Sequence, residues 1–378
     1  MTKFKKYLKR TLLTLLALTL ILVAFGFWFV SLLDHSVDRQ ELLNTTPNQL
    51  GYLDNSVTIS RGKILAVVTS VDKMGTSGKS TGYEHTELAR AYYVFQANGF
   101  EVEIASPKGG EPPVVFDDDD MGKYDYAFLN DKDAMTKVKN TKSIASVRAD
   151  DYQAIYFVGG KGAMFDFPSN HHIQSLVANL YSSNKVIGAV CHGPAALVDV
   201  KLANGSPLIE GKLVSGFTNE EELFLIPDAE TIFPFLLQDK LTNQGAKFVP
   251  GPAYLETIAQ DENLITGQNP WSVWKLAESM VRQLGYTPIP REITAEERTI
   301  ELLKVYQTQG YDGAKHWLVN MLVNQHAKID RNLLAMHSIV AIMQYDIGKT
   351  ADILRLLSQT KFLSNQRLSE QTNQEQSS

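Results

Sequence analysis

The chain has 378 residues, of which 44% are apolar, and its 36 Lys and Arg residues against 42 Asp and Glu residues give a net charge of −6. This composition is typical of globular proteins with about two folded units, and the acidic charge argues against a nucleic acid as the main partner. The single cysteine excludes an internal disulfide and a metal cluster built from several cysteines.

The N-terminus combines a basic stub with a long apolar segment. The stub carries Lys3, Lys5, Lys6, Lys9 and Arg10. Residues 11–33 then carry no charge, and about 20 such residues suffice for a helix to cross a membrane. We therefore expect residues 1–34 to be a stub and an uncleaved transmembrane anchor, with a cleaved signal peptide or a buried helix as alternatives. The basic end should stay in the cytoplasm, which places the rest of the chain on the outer, periplasmic or extracellular side.

Residues 35–60 are polar and predict a linker, and from residue 61 strands and helices alternate. Apolar runs predict strands at 63–69, 100–106, 153–158 and 185–190, and helical periodicity predicts helices at 84–98 and 173–181. Such alternation predicts a doubly wound, mostly parallel α/β sheet sandwiched by helices over residues 61–290. Ligands bind beyond the carboxyl ends of the strands in sheets of this kind.

The C-terminal part differs from the preceding residues in composition. Residues 291–363 are rich in helix formers and predict a small all-α extension, with two helical hairpins as one arrangement. Tyr311 and Tyr345, each followed by Asp, stand 34 residues apart, which is the period of a tetratricopeptide unit, but two copies are too few for such a stack. The polar residues 364–378 predict a disordered tail.

A chemically distinctive segment follows the strand at 185–190. Cys191 comes directly after this strand and is followed by His192, Gly193, Pro194 and an Ala-rich stretch. A strand, a sharp turn and a helix form the nucleophile elbow, in which the turn presents a reactive side chain at the top of a sheet. The helix N-terminus and the neighbouring imidazole should lower the pKa of the thiol.

The sequence resembles the ThiJ/PfpI superfamily, which has the class I glutamine amidotransferase-like fold, and within it the glyoxalase III and chaperone-deglycase branch. The matching segments are Glu87-Leu-Ala, 100–110, 151–160, 162–168, the Cys191 turn, 215–222, 245–248 and 263–270. The resemblance covers roughly residues 62–285 and implies a flavodoxin-like catalytic domain. The anchor and the C-terminal helices lie outside it.

The resemblance also implies functional residues. Cys191 corresponds to the nucleophile, His192 to its adjacent histidine and Glu87 to the acid that touches the sulfur. Glu222 aligns best with the acid behind the histidine, although Glu220 and Glu221 are neighbouring candidates. The backbone amides of Gly160, Lys161 and His192 would form the oxyanion hole. Lys161 stands where the family usually has His, a difference that we expect to change the substrate's charge preference or metal binding.

The implied function is a cofactor-independent and metal-independent glyoxalase III-like lyase, of the D-lactate dehydratase class. Cys191 would attack methylglyoxal or a related 2-oxoaldehyde and form a hemithioacetal, and proton transfer followed by hydrolysis would release D-lactate. Such an activity would protect against carbonyl stress. A deglycase or cysteine hydrolase that uses the same residues is one alternative, and a non-enzymatic holdase chaperone or thiol stress sensor is another. A homodimer and a protein partner for the C-terminal helices are left open.

Overall fold

The computed structural model describes residues 2–35, 39–117 and 121–377 and contains a mostly parallel β-sheet with helices packed on it. The helices are α1 (Thr2–Leu32), α2 (Arg39–Leu43), α3 (His85–Ala97), α4 (Lys123–Leu129), α5 (Lys132–Lys139), α6 (Ala163–Asp166), α7 (His171–Ser182), α8 (Asn219–Leu225), α9 (Ala229–Ile232), α10 (Leu237–Asn243), α11 (Val273–Gln283), α12 (Ala295–Val319), α13 (Arg331–Met343) and α14 (Ile347–Ser377). The strands are β1 (Lys63–Val67), β2 (Tyr83–Glu84), β3 (Glu101–Ser106), β4 (Val114–Val115), β5 (Lys142–Ser143), β6 (Ala154–Phe157), β7 (Val186–Val190), β8 (Leu213–Val214), β9 (Lys247–Phe248), β10 (Ile258–Asp261) and β11 (Leu264–Gly267).

The described residues divide into two compact units. Those of Arg39–Glu292 form an α/β unit, and those of Met1–Asp38 and Ile293–Ser378 form a helical unit. The boundary between the α/β and the helical parts therefore lies two residues beyond the predicted end at 290.

The main sheet of the α/β unit has the strand order β10-β11-β7-β6-β1-β3-β5. The pairs from β11 to β5 are parallel, and β10 pairs with β11 in the antiparallel direction. The central strands β6 and β7 are buried along their whole length. These strands and their direction agree with the mostly parallel α/β sheet predicted from the sequence.

The central strand β7 shows that helices lie on both faces of this sheet. A Cβ atom at Gly188 would lie 2.2 Å from Sδ of Met280, so this face of the strand contacts α11 directly. Side chains alternate between the two faces of a strand, so Ile187 and Ala189 point to the opposite face. Helix α7 packs against β7, and α11 packs against both β7 and α3. Helices α7 and α11 therefore enclose the strand, and its carboxyl end leads directly into Cys191.

The segment predicted as a linker is largely part of the α/β unit, which corrects that prediction. Residues 39–60 contain α2 and two short 3₁₀ helices, and they bury Leu50 and Tyr52 in the core. The hydroxyl of Tyr52 accepts a hydrogen bond of 3.2 Å from the Asn98 side chain at the end of α3. A few spaced apolar side chains thus fix a segment whose average composition is polar.

In the helical unit, α12 is interrupted at Gly310, which has a φ of 68°. The last two helices, α13 and α14, pack along each other, and Tyr345 occupies the turn between them with a φ of 59°. The polar residues 364–378, for which the sequence predicts disorder, continue α14 as far as Ser377. They contain no Pro or Gly, and their Gln, Glu, Arg and Leu residues favour a helix once the preceding turns have nucleated it.

Helix α1 is the one helix in the described residues that is long and apolar enough to cross a membrane, by length and composition. The span covers Phe4–Leu32, and none of its most apolar stretch is buried by other parts of the protein. Immediately after it, Asp34 forms an ion pair of 3.1 Å with Arg331 and accepts and donates backbone hydrogen bonds with the Asn332 side chain. These contacts connect the end of the apolar helix to the start of α13.

Candidate active site

Cys191 lies in a strained turn at the carboxyl end of β7. Its φ is 57°, a left-handed value that residues other than glycine adopt rarely. The turn is fixed from both sides, because the Cys191 amide donates to the Gly267 carbonyl (2.9 Å) and the Cys191 carbonyl accepts from the Phe217 amide (2.8 Å). The residue is 5% exposed. This is the backbone geometry expected of a nucleophile elbow.

The segment after the elbow differs from the predicted Ala-rich helix. It is a 3₁₀ helix of five residues, Gly193–Leu197, that ends because Val198 takes an extended conformation. A single short turn aligns few peptide dipoles, so a large dipole effect on the thiol is not expected. The predicted pKa-lowering contribution of a helix N-terminus is therefore corrected.

His192 connects the thiol to a buried carboxylate. Its Nδ1 atom lies 3.2 Å from Cys191 Sγ, and its Nε2 atom lies 2.6 Å from Glu222 Oε2. The ring packs against Phe217 and Phe233, with centroid distances of 4.6 and 6.2 Å. The sequence analysis assigned no role to either residue: Phe217 lies in the matching segment 215–222, where the glutamates were the candidates, and Phe233 lies outside all matching segments.

The three consecutive glutamates of α8 have different environments. Glu222 is buried and contacts His192, whereas Glu220 is exposed. Glu221 is also buried, but it caps the helix through Thr218 and accepts hydrogen bonds from Tyr254, Gln268 and Asn269. The geometry therefore favours Glu222, which the sequence ranked first among the three.

Glu87 lies on the other side of the thiol, on the first turn of α3. Its Oε2 atom accepts a hydrogen bond of 2.6 Å from the Gly159 amide, and the carboxyl lies next to the Cys191 side chain. Burial, followed by the charge of Glu84, raises the pKa of Glu87 well above its usual value. The Gly159 amide and the neighbouring Cys191 lower this pKa to a smaller extent, so burial is the dominant cause.

The pKa of the Cys191 thiol differs from the value that the sequence led us to expect. Burial, and then the charge of Glu87, raise the pKa of Cys191 well above its usual value, while Lys161 and the Gly160 amide lower it to a smaller extent. The lowered thiol pKa that the sequence predicts is thus corrected to a raised one, which favours the neutral thiol. Such a thiol needs a base at the moment of attack, and Nδ1 of His192 lies 3.2 Å from the sulfur.

The predicted oxyanion-hole amides lie in two loops that meet at the sulfur. The Gly160 amide is close enough to the sulfur to lower the pKa of Cys191. In the described part of the chain, the amides of Lys161 and His192 donate to no protein acceptor. Backbone N–H groups without a partner are available to an oxygen that gains charge during a reaction.

Glu84 is a further carboxyl near the thiol that the sequence analysis did not assign. Burial, and then the charge of Asp117, raise the pKa of Glu84 to about 7, and its Oε1 atom is buried without a partner in the described residues. Its position three residues before Glu87 could have indicated this role from the sequence, because residues at this spacing lie on the same side of a helix. The adjacent His85 hydrogen-bonds the Asp125 carbonyl at 2.9 Å and so has a structural role.

In the described residues, no group of three or more His, Cys, Asp or Glu side chains is arranged to hold a metal ion. The groups that meet at this edge of the sheet are a thiol, an imidazole and buried carboxyl groups.

Comparison with known proteins identifies relatives of the α/β unit. A profile described as the DJ-1/PfpI family matches residues 79–214. A glutathione-independent glyoxalase of Schizosaccharomyces pombe is 30% identical over 243 residues, which are 60% of this chain and 100% of the yeast protein. A glutathione-independent glyoxalase of Saccharomyces cerevisiae is 33% identical over 229 residues, which are 57% of this chain and 94% of that protein.

Two solved structures are also similar. The Rapid Encystment Protein of Francisella tularensis is 38% identical, with a TM-score of 0.55, and the match covers 59% of this chain and 99% of that one. Glyoxalase III from Candida albicans is 26% identical, with a TM-score of 0.53, and the match covers 59% of this chain and 97% of that one. These matches leave a large part of this chain without a counterpart.

Proposed function

Because the chain belongs to the DJ-1/PfpI family, and its relatives include glutathione-independent glyoxalases, we propose that it is a cofactor-independent glyoxalase III-like enzyme. Its substrate would be methylglyoxal or a related 2-oxoaldehyde, and its product a 2-hydroxy acid, D-lactate in the case of methylglyoxal. The observation that carries this proposal is the contact series Cys191 Sγ, His192 and Glu222, with distances of 3.2 and 2.6 Å.

The first step is addition of the thiol to the aldehyde. Cys191 Sγ bonds to the aldehyde carbon as the thiol proton passes to Nδ1 of His192, and the former carbonyl oxygen takes up a proton to give the hemithioacetal hydroxyl. Burial disfavours a free thiolate, so proton transfer and attack are coupled. The amides of Gly160, Lys161 and His192 would stabilise the negative charge on that oxygen.

The second step moves hydrogen between adjacent carbons. The proton on the sulfur-bearing carbon is removed, an enediol forms, and a proton is delivered to the neighbouring carbon to give a lactoyl thioester. Glu87 and His192 flank the sulfur, so one can accept the proton while the other donates one. General acid–base assistance of this type contributes about 10²–10⁴-fold. Water then hydrolyses the thioester, which releases lactate and restores the thiol.

The test is turnover of methylglyoxal by the purified full-length protein in detergent, without glutathione, with D-lactate measured as the product. Cys191→Ala should abolish the activity, because the chain has no other thiol. The matched control is Ser215→Ala, which removes one heteroatom from another buried side chain whose hydroxyl has no partner in the described residues.

The outcomes distinguish the alternatives. Lactate formation by Cys191→Ala at the wild-type rate would contradict the mechanism. Release of lactate from glycated amines, without turnover of free methylglyoxal, would instead favour a deglycase. Suppression of aggregation that is equal in wild type and Cys191→Ala, without any turnover, would favour the holdase.

We also propose that α1 anchors the enzyme in a membrane, with the basic stub in the cytoplasm and the α/β unit on the outer side. The support is the length and apolar character of Phe4–Leu32 and the basic residues before it. A reporter fused after Ser378 should work on the outer side, and activity of that reporter only in the cytoplasm would contradict the orientation.

A further inference from the structure

Lys161 is a cation in the loop that carries two of the proposed oxyanion amides. It follows Gly159 and Gly160, and a Cβ atom at Gly159 would lie 2.6 Å from Glu87 Oε2 and 2.7 Å from Cys191 Cβ. The loop backbone therefore lies directly against the reactive side chains. The Lys161 side chain is half-buried, and within the described part of the α/β unit it makes no hydrogen bond or ion pair.

The charge of Lys161 acts on groups from three separate elements. Burial has the largest effect on the pKa values of Cys191, Glu84 and Glu222, and it raises all three. The positive charge of Lys161 lowers each of these pKa values. These groups lie after β7, at the end of β2 and on α8. The geometry agrees with this influence, because the half-buried Lys161 directly follows the Gly159-Gly160 backbone that packs against Cys191 and Glu87.

Arg90 provides a contrast. It also acts on the buried carboxyls Glu84 and Glu87, but its guanidinium is 2% exposed and forms an ion pair of 3.2 Å with Asp125. Arg90 is thus neutralised inside the protein. Lys161 is the cation at the thiol whose charge is not matched by an ion pair in the described residues, and an anionic ligand can supply that match.

We propose that the Lys161 ammonium binds an anionic group of the substrate, so that the enzyme acts preferentially on 2-oxoaldehydes that carry a carboxylate. This inference deepens the proposed function and, for the reaction, rests on it. The aldehyde carbon would bond to Cys191 Sγ while the carboxylate, a few bonds away, would contact Nζ of Lys161. With 4,5-dioxopentanoate, uptake of one water would give 2-hydroxyglutarate and restore the thiol.

A first experiment measures charge selectivity without any turnover. Iodoacetate and iodoacetamide alkylate Cys191, the chain's only cysteine, by forming a C–S bond and releasing iodide, and they differ mainly in charge. The second-order rate ratio of iodoacetate to iodoacetamide is measured for the full-length protein and divided by the same ratio for glutathione. A charge-assisted contact predicts that this normalised ratio falls at least about tenfold in Lys161→Met.

Two further variants separate charge from shape. Lys161→Arg keeps a cation and should retain the wild-type ratio. Lys139→Met removes an exposed positive charge from α5 of the same unit and should leave the ratio unchanged. A normalised ratio that is the same in wild type and Lys161→Met would overturn the inference, whatever the absolute rates of alkylation.

A second experiment uses substrates. The kcat/KM for 4,5-dioxopentanoate should exceed that for 2-oxopentanal, which has a methyl group in place of the carboxylate, by about tenfold or more in the wild type. This preference should disappear in Lys161→Met and return in Lys161→Arg. Equal kcat/KM values for the two aldehydes in the wild type would contradict the inference alone, whereas absence of turnover of both, and of methylglyoxal, would contradict the proposed function.

Discussion

The Nε2 atom of His192 lies 2.6 Å from the Oε2 atom of Glu222, and this contact determines which ring nitrogen serves the thiol. Burial raises the pKa of Glu222. The charge of His192 and its hydrogen bond to the carboxylate together lower this pKa by a larger amount, so the net pKa is below its usual value. An ionised carboxylate only accepts hydrogen bonds, so Nε2 carries the proton. In the neutral imidazole, Nδ1 is then the acceptor atom, and it lies 3.2 Å from Cys191 Sγ.

Glu222→Gln should lower kcat/KM for methylglyoxal by about 100-fold or more, with most of the loss in kcat. The amide of glutamine can donate to Nε2 and thereby favour the opposite tautomer, in which Nδ1 carries the proton and cannot accept one from the thiol. Steady-state kinetics of the purified protein measure the effect.

The control for this variant is Glu221→Gln, the same change one residue earlier. Glu221 Oε1 accepts hydrogen bonds from the Tyr254 amide (2.8 Å) and the Asn269 side chain (3.0 Å), and it has no contact with His192. Glu221→Gln should therefore lower Tm more than Glu222→Gln does. Wild-type kcat/KM in Glu222→Gln would remove the carboxylate from the mechanism.

Gly159→Ala should abolish activity, because the added methyl group has no space. Its carbon would lie 2.6 Å from Glu87 Oε2, 2.7 Å from Cys191 Cβ and 2.8 Å from the Val190 carbonyl oxygen, all closer than a normal contact. Either the Glu87 carboxyl or the elbow must shift, and we expect a loss of at least about 100-fold in kcat/KM.

Gly51→Ala is the matched change at a position with space. The nearest atom to its new Cβ is Asp54 Oδ2 at 3.9 Å, so activity and Tm should stay close to wild type. If Gly159→Ala is as active as Gly51→Ala, the close packing of Glu87 against the elbow has no functional importance.

The sequence predicted the sheet and the elbow because their physical signals are local. Apolar runs bounded by Gly give the strands that contain Ile64 and Ile187, and a polar Cys-His-Gly turn after the second of these marks its carboxyl end.

The features that the sequence did not predict depend on tertiary contacts. Three adjacent glutamates have the same local sequence signal, and only the packing of α8 shows that Glu222 contacts His192 while Glu221 holds Tyr254. The polar composition around Leu50 concealed a segment anchored in the core. The raised pKa of Cys191 likewise results from burial by residues that are far away in the chain, which local dipole arguments cannot include.

Arg90→Met should destabilise the α/β unit by about 3–5 kcal/mol, because it leaves the Asp125 carboxylate buried without its cation. The pair has a distance of 3.2 Å, and both side chains are almost completely buried. The expected reduction in Tm is about 10 °C, measured by thermal unfolding of the purified protein in detergent.

Lys123→Met is the control for that variant, since it removes a cation from the exposed ion pair with Glu292 in the same unit. Exposed pairs contribute about 0–1 kcal/mol, so Tm should change by no more than about 3 °C. Equal changes in Tm for the two variants would show that the buried ion pair contributes no more to stability than the exposed one.

Glu84→Gln should make the protein's stability less sensitive to pH. Burial, followed by the charge of Asp117, raises the pKa of Glu84 to about 7 in the folded protein, against 4.5 as its ordinary value. Between these two values the folded state keeps the proton that the unfolded state has lost, so wild-type stability declines as pH rises through this window, by at most about 1.4 kcal/mol per pH unit from this group. Glutamine stays neutral, and the Tm of Glu84→Gln relative to wild type should therefore increase from pH 5 to pH 8. The same substitution at the exposed Glu111 is the control. If the difference in Tm for Glu84→Gln changes with pH no more than the difference for Glu111→Gln does, Glu84 is not a buried, proton-holding carboxyl.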